Sequence, residues 1–406
     1  MLATLIPFFD KDMKVCAYSL FSQKANLLLN PALQSSAVND GAARVEGLDI
    51  LQSIGIDTLS PGTDVLVPVG SIAVFSDIES QSDTMLGRLV LLFDNSITNT
   101  PDYQERFKQL KQKGYKLAIR KLPVMELENY REILALMDYI ILDYKKVDVF
   151  KAKIYFGHQY PHIKICVGNI EKQEIFDDVR MDRSFHYFEG AFYRIPVTKG
   201  QTEVEPLKVN YLELMNIVND EDFELTKAAD VIGRDTALVV SLLEMVNRTA
   251  VKSEVTSIRH AAALLGQREL KKWINTVITK ELCADRPNEI TRVSLLRAKF
   301  MECLAPSFGL AMKAPELFLM GLFSVLDIIL SMPMAEALDK VNIAKEIREA
   351  LLNRTGEFAD IYDFMTAYEN ADWQEVSRMQ ILRSIDNDAV FKAYITAVRW
   401  YKEMFF

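Results

Sequence analysis

SIRHAAALLGQRELKKW, Ser257 to Trp273, is the stretch on which the reading of this chain turns. Ser257 is suited to cap a helix, Gly266 to interrupt one, and Leu270 with Trp273 to open a second apolar stripe. The stretch therefore predicts two short helices joined at Gly266. Working outward, the chain is helical in pattern from about residue 205 to its end. Val239, Leu242, Leu243 and Val246 recur at helical spacing, as do Leu270, Trp273, Ile274, Val277 and Ile278. These are core stripes. His260 is the only histidine after residue 200. A lone histidine beside an alanine run is expected to be a partly buried packing residue, because ligating histidines come in sets.

The first part of the chain has a different character. Apolar strand-like runs occur at DVLVPV (64 to 69), RLVLLF (88 to 93), KLAIR (116 to 120), YIILDY (139 to 144), IKICVG (163 to 168) and GAFYRIP (190 to 196). Helical patterns such as Tyr103 to Lys113 lie between them, so the alternation predicts a parallel βα barrel of the TIM type. The character changes once, and the hinge is placed near VTKGQTEVEP, residues 197 to 206. The expected organisation is two domains, an α/β barrel over 1–200 and an all-α domain over 201–406.

Composition limits the function. A chain of 406 residues, half of them apolar, can bury two cores. The net charge of -9 and pI near 5.2 argue against a surface built to neutralise nucleic-acid phosphates. Cys16, Cys166, Cys283 and Cys303 form no CxxC pair and no signal peptide opens the chain, so a reduced, cytoplasmic protein is expected. The apolar run LFLMGLFSVLDIILSM, Leu317 to Met332, is short for a membrane span and carries Asp327, which favours a buried helix. Asp327 itself is read as a hydrogen-bonded structural carboxylate. His158 and His162 are four apart, but Pro161 between them spoils a helical metal pair.

Five segments of the first part stand in a telling order: AYSLF (17 to 21), KLAIRKLP (116 to 123), DYIILDY (138 to 144), IKICVGNIEK (163 to 172) and HYFEGAFYRIP (186 to 196). Together they resemble the EAL domain. That resemblance implies a barrel that hydrolyses cyclic diguanylate with divalent cations held by carboxylates at the carboxyl ends of the strands. Hard cations of this kind want oxygen ligands, and a pair of them activates water while neutralising phosphate. Measured against the family's pattern, Ser19 stands at the signature glutamate, and Arg120 and Lys121 stand at two aspartates. Ile141 takes the place of a lysine, with Asp143 kept, and Gly168 takes the place of a metal-binding glutamate, with Glu171 kept. Glu189 occupies a position that is usually glutamine, and the alignment around Asp94 is loose. The two cations matter most, since like charges 4 Å apart repel by about 4 kcal/mol even at an effective dielectric near 20.

Two readings of the altered strand ends are open. Arg120, Lys121 and Asp143 form a rebuilt anion site, or the charged strand end is a solvated barrel rim or an internal salt bridge, in which Glu171 and Glu189 can pair with the cations.

The second part resembles HDOD domains through SIRHAAALLGQRELKKW, ELFLMGLFSVLDIILSMP (316 to 333) and AYENADW (367 to 373). Such domains are similar to HD phosphohydrolases without their metal ligands. A hydrolase of the HD type needs several histidines and an aspartate on its metals, and one histidine does not supply them. GxSxG, P-loop, GxGxxG and HExxH motifs are absent from the sequence.

The resemblances imply a non-catalytic bacterial signalling protein that acts on other signalling proteins in the control of motility or biofilm. No catalytic residue, metal or cofactor, no nucleic acid and no membrane span are expected. EAL-like barrels often dimerise, so a homodimer is allowed. A non-catalytic receptor for cyclic diguanylate or another nucleotide is the alternative, and an active phosphodiesterase stands third.

Overall fold

The computed structural model describes residues 1–23, 26, 28, 44–82, 85–194, 206–220, 222–233, 236–249 and 255–405. They form two compact units, Met1–Ile195 with Phe364–Phe406, and Pro196–Asp363. This differs from the expected division at residue 200. The boundary falls inside helix Ala359–Glu369, and the last helices belong to the unit of the strands. The expected hinge at 197–206 lies outside the described residues apart from Pro206.

Eight strands close into a barrel in sequence order: β1 (Leu2–Phe9), β2 (Val15–Gln23), β3 (Asp64–Pro68), β4 (Leu89–Phe93), β5 (Lys116–Arg120), β6 (Tyr139–Asp143), β7 (Lys164–Gly168) and β8 (Phe185–Phe188). From β2 to β8 neighbours are parallel, whereas β1 runs antiparallel to both β2 and β8. The turn between β1 and β2 is held by Asp10, whose Oδ1 accepts the N–H groups of Asp12 and Lys14, each at 2.9 Å. An aspartate side chain in this position substitutes for a backbone acceptor and fixes the turn.

The expected runs over β3 to β7 form as strands, with β5 covering the predicted residues and helix Pro101–Gln112 lying close to the expected Tyr103 to Lys113. The closing strand does not. GAFYRIP was expected to be a strand, but Ala191–Arg194 is a turn of 3₁₀ helix and the strand is FHYF before it. Gly190 explains the break: its φ is 149°, and a Cβ there would lie 2.0 Å from the Ile170 carbonyl oxygen. Only glycine lets the chain pass so close to the loop after β7.

The lumen is filled by Phe8, Ala17, Leu66, Val90, Leu92, Ala118, Tyr139 and Cys166, with Ile141 and Tyr187 against them. One edge of the barrel is completed from the far end of the chain. β1 meets β8 only at Phe9↔Phe188. Earlier along β1, the Tyr368 hydroxyl donates to the Ala3 carbonyl oxygen at 2.8 Å and accepts the Ala3 N–H at 3.1 Å. One side chain thus satisfies two buried backbone groups that no strand of the barrel reaches. Gln23 Nε2 donates to Ser377 Oγ at 3.0 Å, and Arg194 pairs with Glu369 at 2.7 Å. Val390, Ala397 and Val398 of helix Asn387–Phe405 are buried.

The second unit is helical. Ser257 caps helix Ile258–Leu282, its Oγ accepting from the His260 N–H, and the helix breaks at Gly266, where φ is 74° and ψ 168°. The two-helix reading of the opening stretch is what the backbone adopts. Leu270, Trp273, Ile274 and Ile278 are buried as the spacing predicts. Helices Asn288–Leu304 and Ala314–Phe323 approach so closely that a Cβ on Gly321 would sit 2.4 Å from the Ala298 Cα. The run expected as one buried helix is split, into Ala314–Phe323 and Leu326–Leu330. Among the described residues no helix is long and apolar enough to cross a membrane.

Candidate functional site

Alternation along the strands decides which side chains enter the lumen. Ala17, Ala118, Tyr139 and Cys166 belong to its core, so Ser19 and Phe21, then Arg120, then Ile141 and Asp143, then Gly168 face the same way at the carboxyl ends. The register places Arg120 opposite Ile141, and Asp143 opposite Gly168. Glu189 extends β8 by one rung, its N–H donating to the Val167 carbonyl at 2.9 Å. The positions singled out in the sequence as Ser19, Arg120, Ile141, Asp143, Gly168 and Glu189 therefore meet at one rim.

Two others do not join them in the same way. Lys121 is exposed on a backbone with φ of 58°, and Glu171 is exposed and pairs with Lys145. The ion-pair cluster that was one open reading of Arg120, Lys121, Glu171 and Glu189 does not form among the described residues. Glu171 lies beyond the end of β7 and takes Lys145 instead, and among the described residues no carboxylate lies within ion-pair distance of Arg120.

The Arg120 guanidinium lies over the Phe21 ring, 5.1 Å from its centroid, and its Nε is buried without a hydrogen-bond partner among the described residues. Burial pulls the group below the ordinary arginine value, against the charges of Asp94 and Glu189. Arginine stays protonated across the physiological range regardless. Glu189 behaves in the opposite sense: burial pushes its carboxyl above the usual carboxylate range and Asp143 adds to this, while the Asn169 N–H and Arg120 oppose it. Its Oε2 accepts from that N–H at 3.2 Å, and the Asn169 side chain donates to Asp143 Oδ1, also at 3.2 Å. Asn169 ties the two carboxylates together, from a φ of 63° that asparagine tolerates better than most residues.

Gly168 leaves the space that Glu189 fills. A Cβ at 168 would lie 3.0 Å from Glu189 Oε2 and 3.1 Å from Ile141 Cγ2. Ser19 is buried and its Oγ has no hydrogen-bond partner among the described residues. For Asp94, burial raises the carboxyl, but hydrogen bonds from Ser96 and the charges of Lys121 and Arg120 hold it below its ordinary value. Asp94 thus belongs to the electrostatics of the rim, where the alignment alone left it unplaced. Phe21 and Asn169 were missed in the sequence, although Phe21 lies two residues after Ser19 on the same face and Asn169 directly follows Gly168.

In the helical unit, His260 is exposed, where a partly buried packing residue was expected. It lies in the first turn after Ser257, on the outside of the helix. Asp327 Oδ1 accepts from the Ile328 N–H at 2.9 Å, the structural role expected, and burial raises its carboxyl. Among the described residues no three His, Cys, Asp or Glu side chains converge in a way that could hold a metal ion.

Comparison with known proteins adds family relations. Residues 205–360 match the model of the HDOD domain, so the helical region carries an HDOD domain. AYENADW lies beyond that match, in the unit of the strands. The chain is 25% identical over 404 residues to the uncharacterized protein YuxH of Bacillus subtilis, covering 97% of this chain and 96% of that one. It is 26% identical over 317 residues to the cyclic di-GMP phosphodiesterase CdgJ of Vibrio cholerae, covering 75% and 71%. Among solved structures it is similar to the EAL-like domain protein YdiV, with a TM-score of 0.33 and 15% identity over 47% of this chain and 89% of that one. It is also similar to the EAL enzyme Bd1971 in its cGMP-bound form, with a TM-score of 0.31 and 10% identity over 46% and 59%.

Proposed function

We propose that this protein is a non-catalytic component of cyclic-diguanylate-related signalling that acts by binding other proteins. The observation that carries this reading is the rim of the barrel, where Arg120 projects a guanidinium over Phe21 at the strand end. Hydrolysis of a cyclic dinucleotide on an EAL-like barrel needs divalent cations in a shell of oxygen anions. The donor set here does not fit them. Ile141 and Gly168 offer no side-chain oxygen, Ser19 offers a buried hydroxyl, and Arg120 adds a fixed positive charge beside the remaining Asp94, Asp143 and Glu189. The likeness to CdgJ supports the signalling context, and the match of 205–360 to the HDOD domain supports a helical docking platform.

The test is turnover. Full-length protein incubated with cyclic diguanylate and Mg²⁺ or Mn²⁺ is expected to yield no linear dinucleotide, and product above a protein-free control with either metal overturns the reading.

A second reading is favoured by one observation, the half-buried Arg120 guanidinium with no carboxylate in ion-pair distance among the described residues. A cation so placed at the strand end is suited to a phosphate oxygen, which makes the rim a receptor for a nucleotide without hydrolysis. Calorimetric titration with cyclic diguanylate separates the two. Heat that is lost in Arg120→Ala supports the receptor, and its absence at millimolar nucleotide removes it.

A further inference from the structure

We infer that the recess walled by helices Ile258–Leu282, Asn288–Leu304 and Ala314–Phe323 is a docking site for an acidic peptide segment that carries one apolar anchor side chain. The inference rests on the partner-binding reading above and gives that reading a place and a chemistry.

Arg268, Lys271 and Lys272 supply three cations to the recess and Glu302 its one carboxylate, with Phe318 and Leu319 as apolar floor. The spacing i, i+3, i+4 puts the three cations on one face of their helix. Lys272 is already committed: its Nζ lies 2.7 Å from both carboxylate oxygens of Glu302 and 4.7 Å from the centre of the Phe318 ring. Glu302 also accepts from Lys299 at 2.8 Å. Arg268 and Lys271 are in a different state. Among the described residues neither joins an ion pair, and Lys271 is half-buried, with Asp220 and Glu316 acting on it only through their charge. Burial holds its ammonium below the ordinary lysine value, so a carboxylate brought to it would relieve a cost already present.

Size suits a small apolar group. The recess has a volume of about 60 Å³, several times the ~10–15 Å³ that one water needs on the same measure. The tip of one aliphatic side chain fits there, against Phe318 and Leu319. Charge selects in the same direction, because a lining with three cations against one carboxylate reverses the sign of a chain whose net charge is -9. Close by in sequence, Leu264 is 58% exposed four residues before Arg268, and Met312 is 91% exposed three residues before Pro315 at the recess wall. An aliphatic anchor flanked by glutamates or aspartates satisfies the floor and the two unpaired cations together.

The probe is a fluorescein-labelled helical peptide with one leucine flanked by glutamates, titrated into full-length protein and read by anisotropy. Binding that weakens with salt is expected, with a loss of about tenfold or more in the doubly reversed variant Arg268→Glu/Lys271→Glu. A comparable loss is expected in Leu319→Arg, which keeps both cations, and in the peptide whose leucine is replaced by lysine. Thermal melts establish that the variants are folded, and Leu319→Ala serves if Leu319→Arg is not. No binding, equal binding by the reversed variant, equal binding by the lysine peptide, or displacement by cyclic diguanylate each overturns the site. The outcome is separable from the reading it rests on. Nucleotide turnover by the same preparation overturns the non-catalytic reading and leaves the peptide result standing, whereas unchanged peptide affinity in the reversed variant overturns the recess alone.

Discussion

Arg120 at the barrel rim and Lys272 in the helical unit are both half-buried cations set against an aromatic ring, yet their surroundings differ. Lys272 shares Glu302 with Lys299, and all three charges are hydrogen-bonded. Burial pulls Lys272 below the ordinary lysine value, and it also raises Glu302, but the two ammonium groups outweigh that and hold the Glu302 carboxyl below its usual range. At the rim, Arg120 has no carboxylate in ion-pair distance among the described residues, and Glu189 is pushed up. A buried charge with its full complement of partners reads as structure. One without them marks a place where the fold has been left electrostatically incomplete.

The contrast can be broken most sharply at Glu302. Glu302→Ala leaves two ammonium groups facing each other with no anion between them, and a loss of about 3–5 kcal/mol is expected in denaturant unfolding of the full chain. Arg120→Met should behave differently, because it removes a desolvated charge and no ion pair. A change within about 1 kcal/mol of wild type is expected, and a loss as large as that of Glu302→Ala would show that the rim is held together as tightly as the cluster. The smallest effect is expected at Glu189, where its sign matters. A carboxyl whose folded value is raised contributes stability that is fully present below its unfolded value and is lost as pH rises through the folded one. Glu189→Gln, locked in the neutral form, should therefore melt above wild type at neutral pH, with the advantage shrinking toward pH 4 and below. A constant difference across that range would remove burial of the ionised carboxylate as its cause.

The sequence was legible where one physical cause dominated. Strands β3 to β7 are covered on both faces and read as short continuous apolar runs, of which KLAIR is the plainest. LATLIPFF is nearly as apolar and VCAYSLFSQ is broken by two serines and a glutamine, and neither reads as a strand because the hairpin between them carries no Asn-Gly or Asp-Gly signal and is made by the Asp10 side chain. FHYF is only four residues long, and the aromatic GAFYRIP beside it gave the stronger β signal until Gly190 turned the chain. At the rim, the residue types could be placed by motif order, but their partnerships could not. That Glu171 prefers Lys145, and that Asn169 bridges Asp143 and Glu189, depends on loop backbone no periodicity encodes. The allegiance of the last helices was likewise invisible, since an apolar stripe does not say which surface will cover it.

The bond between Ala3 and Tyr368 joins residues 365 apart in sequence, and this has a consequence for the time course of synthesis. The edge of the first strand stays open while the whole of Pro196–Asp363 is made, since its cover is encoded only after that segment. At translation rates of about 5–20 residues per second the delay is roughly ten seconds or more, long compared with the collapse of a small chain. The HDOD-bearing unit is complete on the ribosome before the barrel that precedes it. The nascent barrel therefore waits with that edge uncapped, and a ribosome that stops short of Tyr368 releases a chain whose first strand was never closed.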